Sequence, residues 1–469
     1  MNSNPPSHGL LHGLLHGLSH GLSRRQLLKG LALSAPLGGA LTSSFSPRVW
    51  AQAAPKGTGD PRQGRLVVVF LRGAYDGLSA FVPYADADYY ALRPNIAIAA
   101  PDGTAQTALK LDGSFALHPS LAPLLPLWQQ GVLSFVPAAG LPAPNRSHFD
   151  AQFQMEIAQS SKSSVASGST SGWLNRLAAS SNASTATAMG VGEANPAILA
   201  GDARVKLIPR GQQAERTGVL ANAGSRQALL DLYSGNDAVS VAFRKGVESR
   251  LQSAQELTDE KTAVIERRRM DTALDKDGTP ANPQAQSAQM LAASNGATDS
   301  VGLALDAQHL GTLMRNDRSL SIGFLSAGGW DTHANQGNAT GQLANNLANL
   351  ARGILQLRQD FNQSGDVILV MSEFGRTSAE NGTRGTDHGF GNALWLIGNR
   401  VNGGKWHGQW TGLARGSLNE SRDLPAHHDY RAVLAQILKR SFSMSDAGLS
   451  TLLPGANWDV RLDGLMRKA

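Results

Sequence analysis

Short apolar runs that stop abruptly at glycine constrain this fold most. "RLVVVFL" from Arg65 halts at Gly73, "SLSIGFLS" from Ser319 runs into "AGGWDTH", and "VILVM" from Val367 into "SEFGRTSAENGTRGTDHGF". Each run is too short for a core helix and lacks the alternation of a half-exposed strand, so each reads as a strand buried on both faces. "VLSFVPAAG" from Val132 and "ALWLIGN" from Ala393 read the same way. Between them lie helical stretches: "HPSLAPLLPLWQQG", "NRSHFDAQFQMEIA" and a long helix at about 340 to 362. Strands alternating with helices imply an α/β fold, a mostly parallel sheet with helices on both faces. The Ser/Ala/Thr-rich and then charged helical stretch at about 158–316 reads as an insertion or cap packed beside that sheet.

In a parallel sheet the carboxyl ends of the strands point the same way, and ligands sit outside them. Three runs end in acids or histidines: Asp76 after the first, Asp331 with His333 after the second, and Glu373, Asp387 and His388 after the third. Carboxylates and imidazoles gathered in this way would repel one another without a cation, and oxygen with nitrogen donors suits a divalent ion, zinc among the candidates. Taken singly, Asp76-Gly77 is an ordinary turn pair and Asp387 a loop residue. With 0 cysteines, no thiolate can serve as ligand or nucleophile.

Ser147 opens a helix, where it serves either as an N-cap or as a nucleophilic hydroxyl favoured by the helix dipole. His148 and Asp150 beside it orient or cap that helix. Arg376 has the fork geometry to hold an oxyanion, the alternative being a pair with Glu380. His427 and His428 read as capping or surface residues.

The first 53 residues stand apart. "SRRQLLKGLALSAPLGGAL" sets paired arginines before a moderately apolar segment, and "AQA" at Ala51–Ala53 has the small-x-small form of a cleavage site. This is an export leader, similar to a twin-arginine signal in Ser23, Arg24, Arg25, Leu27, Leu28 and Lys29. It implies passage through the twin-arginine translocase to a periplasmic or extracellular location, with no stable membrane span expected from so short a segment. Upstream, His8, His12, His16 and His20 recur every four residues, a low-complexity repeat inside the leader. Arg24, Arg25, Lys29 and Arg48 account for all but +2 of the formal +6 charge, so the remainder, 54–469, is one near-neutral domain and not a nucleic-acid binder.

The motifs "LRGAYDGL", "PNRSHFDAQ", "GGWDTH", "SEFGRT" and "GTDHG", in this order behind such a leader, resemble the exported family called domain of unknown function 1501, from about Arg65 to about Arg440. That family is similar to the alkaline phosphatase and sulfatase superfamily, which cleaves or transfers phosphate and sulfate esters with a nucleophile beside one or two metal ions. The resemblance implies metal ligation by Asp76, Asp331, His333, Glu373 and His388, a nucleophile at Ser147, and Arg376 beside the developing charge. Phe374 stands where the superfamily commonly has a histidine, which leaves the second metal site with Asp76 and Glu373 alone. Two functions follow as expectations: a metal-dependent hydrolase of small anionic esters, or a catalytically degenerate exported protein that binds a ligand or another secreted component.

Overall fold

A computed structural model describes residues 64–159, 171–181, 183, 185–271, 288–297 and 299–468; the leader and its histidine repeat lie outside the described residues. Among the described residues, eleven strands form two sheets. The main one contains β1 (Leu66–Leu71), β5 (Leu133–Gly140), β6 (Ala188–Gly192), β7 (Val205–Pro209), β8 (Ile322–Ala327), β9 (Val367–Met371), β10 (Asn392–Ile397) and β11 (His428–Asp429). Its order is β11-β5-β10-β9-β1-β8-β6-β7, and β2 (Phe81–Val82), β3 (Leu109–Lys110) and β4 (Ala116–Leu117) make a small antiparallel sheet. Among the main-sheet strands β10 alone runs against the others.

Every residue of β1, β8 and β9 is buried, as continuous apolar runs between two helical layers require. Side chains alternate across β1. Val67, Val69 and Leu71 join one core with helices α4 (Leu303–Asn316) and α5 (Gln342–Asp360), whereas Leu66, Val68 and Phe70 join the other with α1 (His148–Ile157), α2 (Trp173–Ser180) and α6 (Tyr430–Ser441). The α/β architecture expected from the sequence is therefore present.

The 158–316 stretch is more than a cap beside the sheet. It contributes β6 and β7, which extend the sheet past β8, as well as the long helix α3 (Ala238–Asp271). The β6 sequence AMGVG lacks a branched apolar run, so its strand character comes from pairing with β8 rather than from propensity. Among the described residues no helix is long and apolar enough to cross a membrane.

Neighbours in the order β9-β1-β8-β6 are parallel, so their carboxyl ends deliver residues 372, 72, 328 and 193 onward to one edge. Gly73 shows how closely these loops approach. Its φ of 111° lies in the left-handed region, and a Cβ there would meet the Asp331 backbone nitrogen at 2.8 Å.

Candidate metal centre

Short turns and cross-loop bonds bring the site together. After β8, the amide of His333 donates to Asp331 O at 3.2 Å, a tight turn that places both side chains on the same side. After β9, segments 375–377 and 387–390 pair like a hairpin: Gly375 N donates to Phe390 O, Thr377 N to Asp387 O and Gly389 N to Gly375 O. This sets His388 opposite Arg376. The two loops are then tied to each other, with Thr386 N donating to Thr332 O and the Asn381 and Thr383 side chains donating to His333 O. Helix α1 supplies His148 at its first turn.

Donor atoms cluster as a result: His148, Asp331 and His388 each offer one within 4.8 Å of the others, and His333 borders them. His388 Nε2 lies 2.9 Å from His148 Nε2, 3.0 Å from His333 Nε2 and 3.2 Å from Asp331 Oδ1. Asp331 Oδ1 is also 2.9 Å from His333 Nε2 and 3.4 Å from His148 Nε2. Ligands about 2.0–2.1 Å from a tetrahedral zinc ion are about 3.3 Å apart, so the edges among His148, Asp331 and His388 suit a ligand shell, with His333 adjoining through His388 and Asp331.

The far side of each ring fixes its proton. His388 Nδ1 faces the Arg146 carbonyl oxygen at 2.9 Å, which can only accept, so Nδ1 carries the hydrogen and Nε2 a lone pair. His148 Nδ1 faces Glu373 Oε1 at 2.8 Å and His333 Nδ1 faces Asp387 Oδ1 at 3.2 Å. Both carboxylates hold their protons weakly. Burial would raise each, but for Glu373 the bonds from His148 and Gln152 outweigh it, and for Asp387 those from Asn381 and His333 do. Imidazole lone pairs and a carboxylate oxygen are thus crowded around His388 Nε2, an arrangement that a cation or extra protons must relieve. Without a metal, burial opposes charge on His148, yet Asp331 and Glu373 push it up to about 9.

The residues present fit a divalent ion. Asp331 Oδ2 is buried with no hydrogen-bond partner, an orphan acceptor of the kind a metal satisfies. Burial works to raise the Asp331 carboxyl, but its three imidazole neighbours and Arg376 hold it far below the usual range. His333 and His388 are 27% and 21% exposed, so the cluster opens to solvent on their side.

The chain belongs to the DUF1501 family. The family model, described as a protein of unknown function, matches residues 63–453, a span that contains all four converging residues. No curated protein matches the chain.

Of the site residues read from sequence, the DUF1501 structure brings Asp331, His333 and His388 together and uses the others differently. Asp76 is not brought into the cluster: its oxygens accept from Arg93 at 2.6 and 3.1 Å, from Ser79 and from Gln336. That buried ion pair satisfies the carboxylate and anchors the loop after β1. Glu373 accepts from the Gly73 amide, His148 and Gln152 on Oε1 and from Ser372 on Oε2, so it orients an imidazole in place of ligating a metal. Arg376 is fully buried. Its guanidinium donates to the carbonyls of Ala74, Gly73, Thr386 and Trp330 and to Asp331 Oδ1, which leaves no fork for an oxyanion and no pairing with Glu380. Glu380 binds the 95–96 backbone instead.

Ser147 is exposed at the N-cap of α1, and its side chain makes no capping bond. The hydroxyl has no structural duty at the helix start. His148, one residue on, joins the donor cluster, whereas sequence reading left it as an orienting or capping residue. Its ring packs 4.8 Å from that of Phe374.

Proposed function

We propose that this protein is an exported, metal-dependent hydrolase of phosphate or sulfate esters, built on an alkaline-phosphatase-like plan with a single metal centre. The observation that carries the reading is the convergence of the His148, His333 and His388 Nε2 lone pairs with Asp331 Oδ1 at the carboxyl ends of central parallel strands. A bound divalent ion would supply Lewis acidity to an ester oxygen there. Asp331, His333, His388 and His148 would hold it; Glu373, Asp387 and the Arg146 carbonyl keep the ring protons on the outward nitrogens. Ser147, exposed and released from capping, is the hydroxyl next to this centre in the chain and the proposed nucleophile. Arg376 acts through Asp331, fixing the carboxylate that would face the ion. Export by the twin-arginine pathway to the periplasm or beyond belongs to the same reading.

A second reading, a catalytically degenerate exported binding protein, is favoured by one observation: the Arg376 guanidinium is spent on backbone carbonyls and Asp331, which leaves no fork to hold an oxyanion. Elemental analysis of the purified protein, followed by turnover assays over phosphate and sulfate esters with metal supplied, separates the two. About one ion per chain with ester turnover is expected. One ion per chain and no turnover on any ester would favour the binding protein, and no ion in the purified protein would remove the metal-dependent hydrolase.

A further inference from the structure

The metal centre has a deeper layer that reaches across the sheet edge. Helix α1 is inverted relative to an ordinary surface helix: it buries His148, Gln152 and Glu156, spaced four apart on one face, and leaves Phe149 57% and Phe153 36% exposed. The buried polar stripe meets Arg72, the first residue after β1, and Glu193, the first after β6. Arg72 is fully buried and donates to Glu156 Oε1 at 2.8 Å, to Glu193 Oε2 at 3.0 Å and, through Nη1, to Gln152 Oε1 at 2.9 Å.

This last bond decides the orientation of the Gln152 amide. A guanidinium can only donate, so the amide oxygen must face Arg72. The NH2 group is then directed at two acceptors, Ala293 O at 2.8 Å and Glu373 Oε1 at 2.9 Å. Glu373 Oε1 in turn receives His148 Nδ1–H at 2.8 Å and the Gly73 amide at 2.8 Å. Reversing the amide would set its NH2 against the guanidinium and its oxygen against a carboxylate, so the chain of donors has one self-consistent direction.

We propose that Arg72, Gln152 and Glu373 form a positioning relay for the metal centre, in which the Arg72 guanidinium sets the Gln152 amide, the amide anchors the Glu373 carboxylate, and the carboxylate holds His148 with its lone pair on Nε2. None of the three touches the converging donors' shared point; each acts through His148. The proposal rests on the metal reading of the cluster. It adds that the geometry of His148 is specified by residues from β1, β9 and α1 together, with Glu156 and Glu193 neutralising Arg72.

Two substitutions test the relay. Gln152→Met keeps side-chain length and removes all three amide hydrogen bonds. Glu373→Gln keeps an oxygen acceptor for His148 and removes the charge, and it carries the test if the methionine variant does not fold. Cobalt(II) is titrated into metal-free parent and variants, with affinity read by chelator competition and geometry by the visible absorption of the bound ion. Unfolding of the metal-free proteins is followed in parallel. The relay predicts that both variants bind cobalt about 10- to 100-fold more weakly, with an altered absorption band, while remaining folded without metal. Equal affinity and an identical band in parent and folded variants overturn it. If the parent takes no cobalt, the metal reading fails separately, and the ring nitrogens judge the relay. 15N shifts recorded well above pH 9, where the metal-free His148 ring is neutral, should then show Nδ1–H on His148 in the parent and a tautomer mixture in Gln152→Met, and identical shifts would overturn the relay.

Discussion

Replacing Asp331 by asparagine probes the centre at its one anionic donor. In the metal-free protein the Asp331 carboxylate lies 2.6 Å from Arg376 Nη2, with both side chains fully buried, and within 3.4 Å of three imidazoles. Removing one partner of a buried ion pair typically costs about 3–5 kcal/mol, because the other charge is left unneutralised. Arg376 keeps four carbonyl acceptors, and the asparagine oxygen can still receive Nη2–H, which places Asp331→Asn near the low end, at about 3 kcal/mol. His148, which Asp331 and Glu373 together push up to about 9, would lose one of its two counter-charges as well. The assay is equilibrium urea unfolding of metal-free parent and variant at pH 7, compared at equal slope. Divalent-metal affinity, measured separately, should fall by more than the ~100-fold seen when only a group behind a ligand is removed. A stability change below about 1 kcal/mol would refute the ion-pair argument. Unchanged metal affinity would remove Asp331 from the ligand shell.

Three further outcomes are expected. Arg24→Lys combined with Arg25→Lys should leave uncleaved precursor in the cytoplasm on fractionation, and normal maturation would end the twin-arginine proposal. Ser147→Gly should cost at most a few tenths of a kcal/mol, since the serine side chain makes no capping bond, yet ester hydrolysis should fall at least about 1000-fold in steady-state kinetics; turnover like the parent's would remove Ser147 as nucleophile. Burial lowers His118 from 6.5 to about 4, and its Nδ1 accepts the Ser120 amide, so the unfolded chain binds the proton more tightly. Its contribution is complete above pH 6.5 and lost as pH falls toward 4, a drop of about 3 kcal/mol that His118→Gln should abolish in urea titrations across that range.

How far the fold was legible follows from what hydrophobic pattern encodes. β1, β8, β9 and β10 could be read because their side chains are buried on both faces, and a continuous apolar run survives in any context. Direction leaves no such trace. "ALWLIGN" is as apolar as its neighbours yet runs antiparallel, since the loop from 372 to 391 returns the chain to the same edge of the sheet. β6 and β7 were hidden for a different reason. Ala-Met-Gly-Val-Gly has little strand propensity, and Gly190 is held close to the Leu199 and Leu207 side chains, so pairing rather than composition makes the strand.

The candidate site divides along similar lines. Asp331, His333 and His388 were legible because a strand end that carries an acid or histidine has few structural uses for it. The same rule overreached at Asp76, Glu373 and Arg376, because a buried group of donors needs a second layer of charge to hold its rings and carboxylate in place, and that layer draws on the same residue types. Residue identity cannot separate the two layers; geometry does, through Arg93 against Asp76 and the carbonyls around Arg376. His148 was read only as an orienting or capping residue, and Gln152 was missed, because a helix is ordinarily read by burying its aromatic residues. In α1 the phenylalanines face outward while histidine, glutamine and glutamate recur four apart along the buried face. That polar spacing was present in "HFDAQFQME" and is the usable signal: three polar side chains on one helical stripe, beside a strand that ends in a buried arginine, imply a network that must be satisfied internally.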